Sequence, residues 1–102
     1  MNNDSRQLFV GRLGKNPDLR YTKNQKPVCY LSVAVNDEKE QKTNWNKVVV
    51  WGKQAELASM YLKKGSEVFV HGHVERKEFT TSEGLQKSYE EVNANLIGFS
   101  NL

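Results

Sequence analysis

The chain has 102 residues, with 15 basic and 12 acidic side chains, two histidines and one cysteine. That length suits one domain spanning residues 1–102 with one small core, and it leaves no room for a second catalytic domain. The net charge of +3 is too mild to imply a polyanionic partner, no apolar run approaches the roughly 20 residues that cross a bilayer, and a lone cysteine closes no intramolecular disulfide.

The N-terminal MNNDSRQLFV is too polar for a secretory signal, so the expected location is the cytoplasm, with no membrane partner. Cys29 reads as a small buried hydrophobe rather than a reactive thiol. Charge is unevenly spread. Residues 1–26 carry a net +4, residues 27–77 a net +2 and residues 78–102 a net −3.

Most segments read as strands. Gln7–Leu13 is a short apolar run ended by Gly14 and Pro17. Asp18–Thr22 suits a short edge strand, and Asn24–Pro27 a turn. Val28–Val35 is a strand with Cys29, Leu31, Val33 and Val35 on one face and Tyr30, Ser32 and Ala34 on the other. Asn36–Thr43 (NDEKEQKT) holds no apolar residue and is expected to be an exposed loop. Asn44–Trp51 is the next strand. Gln54–Leu62 is a helix with Leu57, Ala58, Tyr61 and Leu62 on one side. Lys63 and Lys64 fall at its end, with Gly65 placed to stop it. Glu67–Phe79 is a long strand in which Gly72 marks a bend or bulge. Thr80–Lys87 is a loop or hairpin tip. Ser88–Phe99 is the last strand, with Val92, Ala94 and Leu96 as its apolar set. An all-antiparallel pattern with one helix between the third and fourth main strands suits a five-stranded Greek-key barrel, the OB-fold.

The segment NWNKVVVWGKQAELASMYLKKG (44–65) carries the functional signal. Trp45 and Trp51 stand an even number of residues apart, so a strand puts both indoles on one face, with Lys47 between them and Lys53 beyond. Asn46, Val48 and Val50 point the other way, to a core. Rings and cations on one face suit single-stranded nucleic acid bound without sequence preference, whose bases stack while its phosphates need countercharge. Phe79 is the third candidate ring, with Lys77 at the same parity. The competing reading, that these rings fill the core, is the less favoured one for all three. It is favoured for Phe9, Phe69 and Tyr61.

His71 and His73 share a strand face with Glu75, so a metal site is conceivable, but surface or interface histidines are preferred. Gly11–Gly14 is no phosphate loop, because no lysine followed by serine or threonine comes at the required spacing. There is no recognisable nucleophile with its base and orienting partner, and no paired carboxylates for two-metal chemistry. The expectation is a protein that is not an enzyme and uses no cofactor.

Three pieces, LFVGRLGKNPDLRYT (8–22), NWNKVVVWGKQAELASMYLKKGSEVFVHG (44–72) and YEEVNANLI (89–97), together resemble the DNA-binding core of bacterial-type single-stranded DNA-binding proteins. The resemblance implies an OB-fold that assembles into a homotetramer and wraps single-stranded DNA during replication, recombination or repair. It implies that Trp45, Trp51 and Phe79 stack on bases and that Arg20, Lys53, Lys64 and Lys77 lie in the DNA path. Asn46 falls where many relatives carry a histidine at a subunit contact. The NDEKEQKT loop lacks the aromatic that many relatives carry there, although Lys39 and Lys42 remain to touch phosphate. Relatives usually continue into a disordered tail with an acidic tip. None follows Leu102, so recruitment of proteins through such a tip is not expected. Two rivals stand beside the coating protein: a tailless OB-fold interaction module of the primosomal replication-restart type, and an OB-borne enzyme.

Overall fold

The computed structural model describes residues 5–99. Six strands and one helix follow in the order β1 (Arg6–Leu13), β2 (Asp18–Tyr21), β3 (Pro27–Asp37), β4 (Lys42–Trp51), α1 (Lys53–Tyr61), β5 (Glu67–Thr80) and β6 (Gln86–Phe99). Hydrogen-bonded neighbours run β1-β5-β6-β4-β3-β2, and β1 also pairs with β3. That extra pairing, Arg12 to Ala34 and Leu13 to Val33, closes β1, β5, β6, β4 and β3 into a five-stranded barrel. The fold is an OB-fold. Strand β2 adds to the edge of β3 through Asp18–Tyr30 and Tyr21–Pro27, just beyond the point where β1 leaves it.

The valine-rich strands form because branched side chains suit a pleated surface with one buried face. Cys29, Val33, Val48, Val50, Val68 and Val70 are fully buried inside the barrel, joined by Leu13, Leu31, Val92 and Ile97. Burial pushes the Cys29 thiol up to about 11. Helix α1 caps one end of the barrel by burying Ala55, Ala58 and, just past its last residue, Leu62. Gly52, at φ 71°, makes the sharp entry from β4 into the helix that residues with a Cβ resist. The Gln54 side chain ties the helix to β6, donating to the Asn95 carbonyl at 2.9 Å and accepting from the Ile97 N–H at 2.9 Å.

Several expectations need correction. The strands are not all antiparallel, because β4 and β6 run parallel through Val48–Val92 and Val49–Asn93. Half of the charged stretch 36–43 is ladder, and only residues 38–41 form the turn. Pairing continues to Asp37–Lys42, since a polar strand pair needs only backbone partners. The helix stops at Tyr61, with Leu62 already extended. Gly65, at φ 89°, serves the following turn, in which the Ser66 N–H donates to the Lys63 carbonyl. The bulge lies where Gly72 announces it, but the extra residue, Asn95, is on β6, since His71 faces Leu96 and Gly72 faces Ala94. It reverses the alternation there, exposing Leu96 and burying Ile97. Tyr61 and Phe69 are exposed rather than core, 50% and 38% respectively. Phe9 does pack against the core. Among the described residues no helix is long and apolar enough to cross a membrane.

A methyl group on Gly11 would overlap the backbone carbonyl oxygen of Ala34, because β1 and β3 meet there. Gly11→Ala is expected to cost about 1–3 kcal/mol, as overpacking against backbone does, read from urea unfolding. An unchanged midpoint would mean that the closure tolerates a side chain. At pH 8 the Cys29 thiol is protonated and enclosed, so an aromatic disulfide reagent should react with it only after denaturant is added. Stoichiometric reaction within seconds in native buffer would contradict this.

Candidate nucleic-acid interface

The outer face of β4 is continued on both sides by its neighbours. Against β3, Trp51 faces Val28, Val49 faces Tyr30, Lys47 faces Ser32 and Trp45 faces Ala34. On the other side the parallel register sets Asn93 beside Val49. Beyond β6, Glu91 faces Glu75, Tyr89 faces Lys77 and Lys87 faces Phe79. These side chains line a groove of about 530 Å3 floored by Val49, Glu91 and Asn93 and walled by Arg20, Tyr30, Lys47, Trp51, Lys77 and Tyr89. A neighbouring hollow of about 250 Å3 shares Lys15, Asp18, Tyr30 and Lys47 with it and ends at Trp45. The two indoles therefore stand along one continuous depression.

The structure thus brings Trp51, Arg20, Lys47 and Lys77 to one groove and Trp45 to its extension. Phe79 lies further along β5, its ring 6.0 Å from that of Tyr89 and tilted by 56°. Trp45 is 60% exposed and Phe79 45% exposed, while Trp51 is half-buried. Lys53 and Lys64 are exposed but line neither depression. Lys53 opens α1, and Lys64 sits in the turn before β5, where its backbone N–H donates to Asn16 Oδ1 at 2.9 Å. Among the rings and cations of the site, four were not singled out from sequence: Lys15, Lys26, Tyr30 and Tyr89. The parity of Tyr30 on the outward face of its strand was the available signal. Tyr89 and Lys15 had none, because only the barrel brings β6 and the segment after β1 beside β4.

Cations sit over the rings. Lys26 Nζ is 5.0 Å from the centroid of Trp51, Lys47 Nζ is 4.6 Å from that of Tyr89, and the Arg20 guanidinium is 5.7 Å from that of Tyr30. Three of the four cations that line the groove also have a carboxylate near them. Arg20 pairs with Asp18 at 2.9 Å, Lys77 with Glu75 at 3.2 Å, and Lys47 stands 4.0 Å from Glu91. The hydrogen bond and charge of Asp18 raise the Arg20 pKa, and those of Glu75 raise that of Lys77. Both cations stay charged throughout the neutral range, and their exposed pairs break readily for a competing anion. Among the described residues no group of three histidine, cysteine or carboxylate side chains is arranged to hold a metal ion, His71 and His73 included.

An extended depression with rings and exchangeable cations on an OB-fold is a surface for a flexible polyanion bearing flat groups. The model of the "Single-strand binding protein family" matches residues 4–100. The chain belongs to the single-strand binding protein family. It is similar to proteins named "Single-stranded DNA-binding protein" from two Neisseria meningitidis strains, serogroup A (Z2491) and serogroup B (MC58). Each is 32% identical over 95 residues, covering 86% of this chain and 55% of the relative. The chain thus spans about half the length of these curated relatives.

Within this family member the Trp45 ring rests on Gly14, where a Cβ would overlap the outer edge of the indole. Gly14→Ala is expected to displace the ring while leaving the barrel intact. The readout is the indole emission of Trp45 in a Trp51→Phe background, with far-UV circular dichroism as the control. An unaltered emission spectrum would show that Gly14 does not position the ring.

Proposed function

We propose that this chain is a non-enzymatic single-stranded DNA-binding protein, which coats and protects exposed strands in the cytoplasm during replication, recombination or repair. Its binding unit is one OB-fold formed by residues 1–102. The observation that carries the reading is the continuous depression that joins Trp45 to Trp51 and places Arg20, Lys47 and Lys77 along it. Trp45 and Trp51 stack on bases, and Phe79, braced by Tyr89, takes a further base where the strand leaves the groove. Arg20, Lys47 and Lys77 release their carboxylate partners to phosphates. Lys53 and Lys64 lie outside the groove and meet the backbone only where DNA continues around the molecule. No cofactor takes part.

Assembly is the second part of the proposal. One outer face of β1, β5 and β6 sets Leu8 beside His71 and Leu96, and Val10 beside Phe69. Leu8, Val10 and Leu96 are each at least half exposed. Such a contiguous apolar face on a small protein supports association of copies, and a homotetramer is the assembly proposed. Sedimentation velocity at micromolar concentration should give the mass of four chains, and Phe69→Glu should shift it towards fewer. A monomer under those conditions rules the assembly out.

Titration with thymidine oligomers at low salt should quench indole fluorescence. Trp51→Ala should weaken binding by about 1–3 kcal/mol if that ring stacks. The logarithm of the binding constant should fall with the logarithm of salt with a slope of about −0.7 per phosphate neutralised. Absence of quenching and of any salt-sensitive binding would sink the reading.

A further inference from the structure

Resting on the single-strand reading above, we propose that the groove limits its own affinity. Asp18, Glu75 and Glu91 compete with DNA phosphates for its cations, so that any strand, whatever its bases, is held less tightly and released sooner than the rings and cations alone would dictate. Asp18 and Arg20 stand two residues apart on β2, and Glu75 and Lys77 two apart on β5. That spacing puts each acid on the same strand face as its cation, and the pairs close at 2.9 and 3.2 Å. Glu91 faces Glu75 across the β5–β6 ladder. It is buried in the groove floor, with Lys47 Nζ 4.0 Å from its Oε2. Its charge also acts on Lys77, whose pKa is raised first by Glu75 and then, more weakly, by Glu91. Lys15, the fourth cation of the groove, forms no ion pair among the described residues.

These pairs do little for the fold. The Asp18 and Glu75 side chains are 44% and 43% exposed, and exposed pairs stabilise weakly. Two carboxylates directly across a ladder repel each other, so Glu75 beside Glu91 is unfavourable except for the lysines the two gather. The acids occupy the places that a phosphate would take. A phosphate reaching Arg20 or Lys77 has first to break a pair at hydrogen-bonding distance, and it then lies beside the displaced anion. The freed carboxylate draws a cation back from solution, which cancels part of the counterion release that drives binding. Stacking is untouched, because the rings carry no charge. The limit therefore falls on the DNA backbone alone and is the same for every base.

The test compares the isosteric amides Asp18→Asn and Glu75→Gln with Glu67→Gln, which makes the same charge change at the other end of β5, outside the groove. Thymidine and cytidine oligomers are titrated over a range of salt. Each groove variant should bind about two- to fivefold more tightly than wild type, the range of an exposed ion pair. The factor should be the same for both oligomers, with slower dissociation and a steeper fall of affinity with salt. Glu67→Gln should bind as wild type does. In a Lys77→Gln background Glu75→Gln should lose most of its gain, since the lysine it competes for is gone. Three results overturn the inference while leaving single-strand binding intact: unchanged or weaker binding by both groove variants, a gain no larger than that of Glu67→Gln, or a full gain without Lys77. If far-UV circular dichroism shows that one groove variant does not fold, the other decides, because the two acids lie on different strands. A wild-type protein that binds neither oligomer overturns the binding function, and this inference with it.

Discussion

Strand β4 is held along both edges, by ten consecutive partners on β3 from Trp51–Val28 to Lys42–Asp37 and by a short parallel contact with β6. That double pairing fixes which face of β4 looks inward. Val48 and Val50 are wholly buried, while Trp45, Lys47 and Trp51 line the outer depression. A slip of one residue would exchange the two sets, putting indoles and a lysine into a core shaped for valines. The cost of that exchange makes the binding face a by-product of core packing. Val49, buried on the outer side, gives the groove a firm apolar floor.

Charge in the groove is arranged for exchange rather than display. Lys15, Arg20, Lys47 and Lys77 line it together with Asp18 and Glu91. Mild net charge at the level of the whole chain thus has a local counterpart. In the proposed function an arriving phosphate would replace a carboxylate of the same molecule at Arg20 or Lys77, and not only a dissolved anion. On the proposed reading stacking would be the larger source of affinity, which is consistent with five rings, Tyr30, Trp45, Trp51, Tyr89 and Phe79, standing in or next to one depression.

The face assignment of Trp45, Trp51 and Lys47 was legible because period-two alternation is local to one strand. So was the position of the bulge, from Gly72, where a Cβ would overlap the Asn93 carbonyl oxygen. What sequence did not reveal depends on partners far along the chain. The parallel β4–β6 contact has no local mark, and with it went Tyr89, Glu91 and Asn93 as groove residues. Polar residues at 36–43 hid a continuing ladder, because backbone pairing leaves no trace in hydropathy. On β6, one extra residue reversed the phase, so Leu96 and Ile97 traded places. Tyr61 read as core from helical spacing, yet it leans outward over Phe99, with ring centroids 6.0 Å apart.

The long strand β5 joins the two surfaces that matter. Its outward side chains run Glu67, Phe69, His71, His73, Glu75, Lys77 and Phe79. The first part belongs to the apolar face with Leu8, Val10 and Leu96, and the last part to the groove. The bulge at Gly72 falls near the boundary and adds twist there, which turns the two parts of one strand face in different directions. On the proposed reading association would use the Phe69 end of the strand and DNA its Lys77 and Phe79 end, so one strand would serve both.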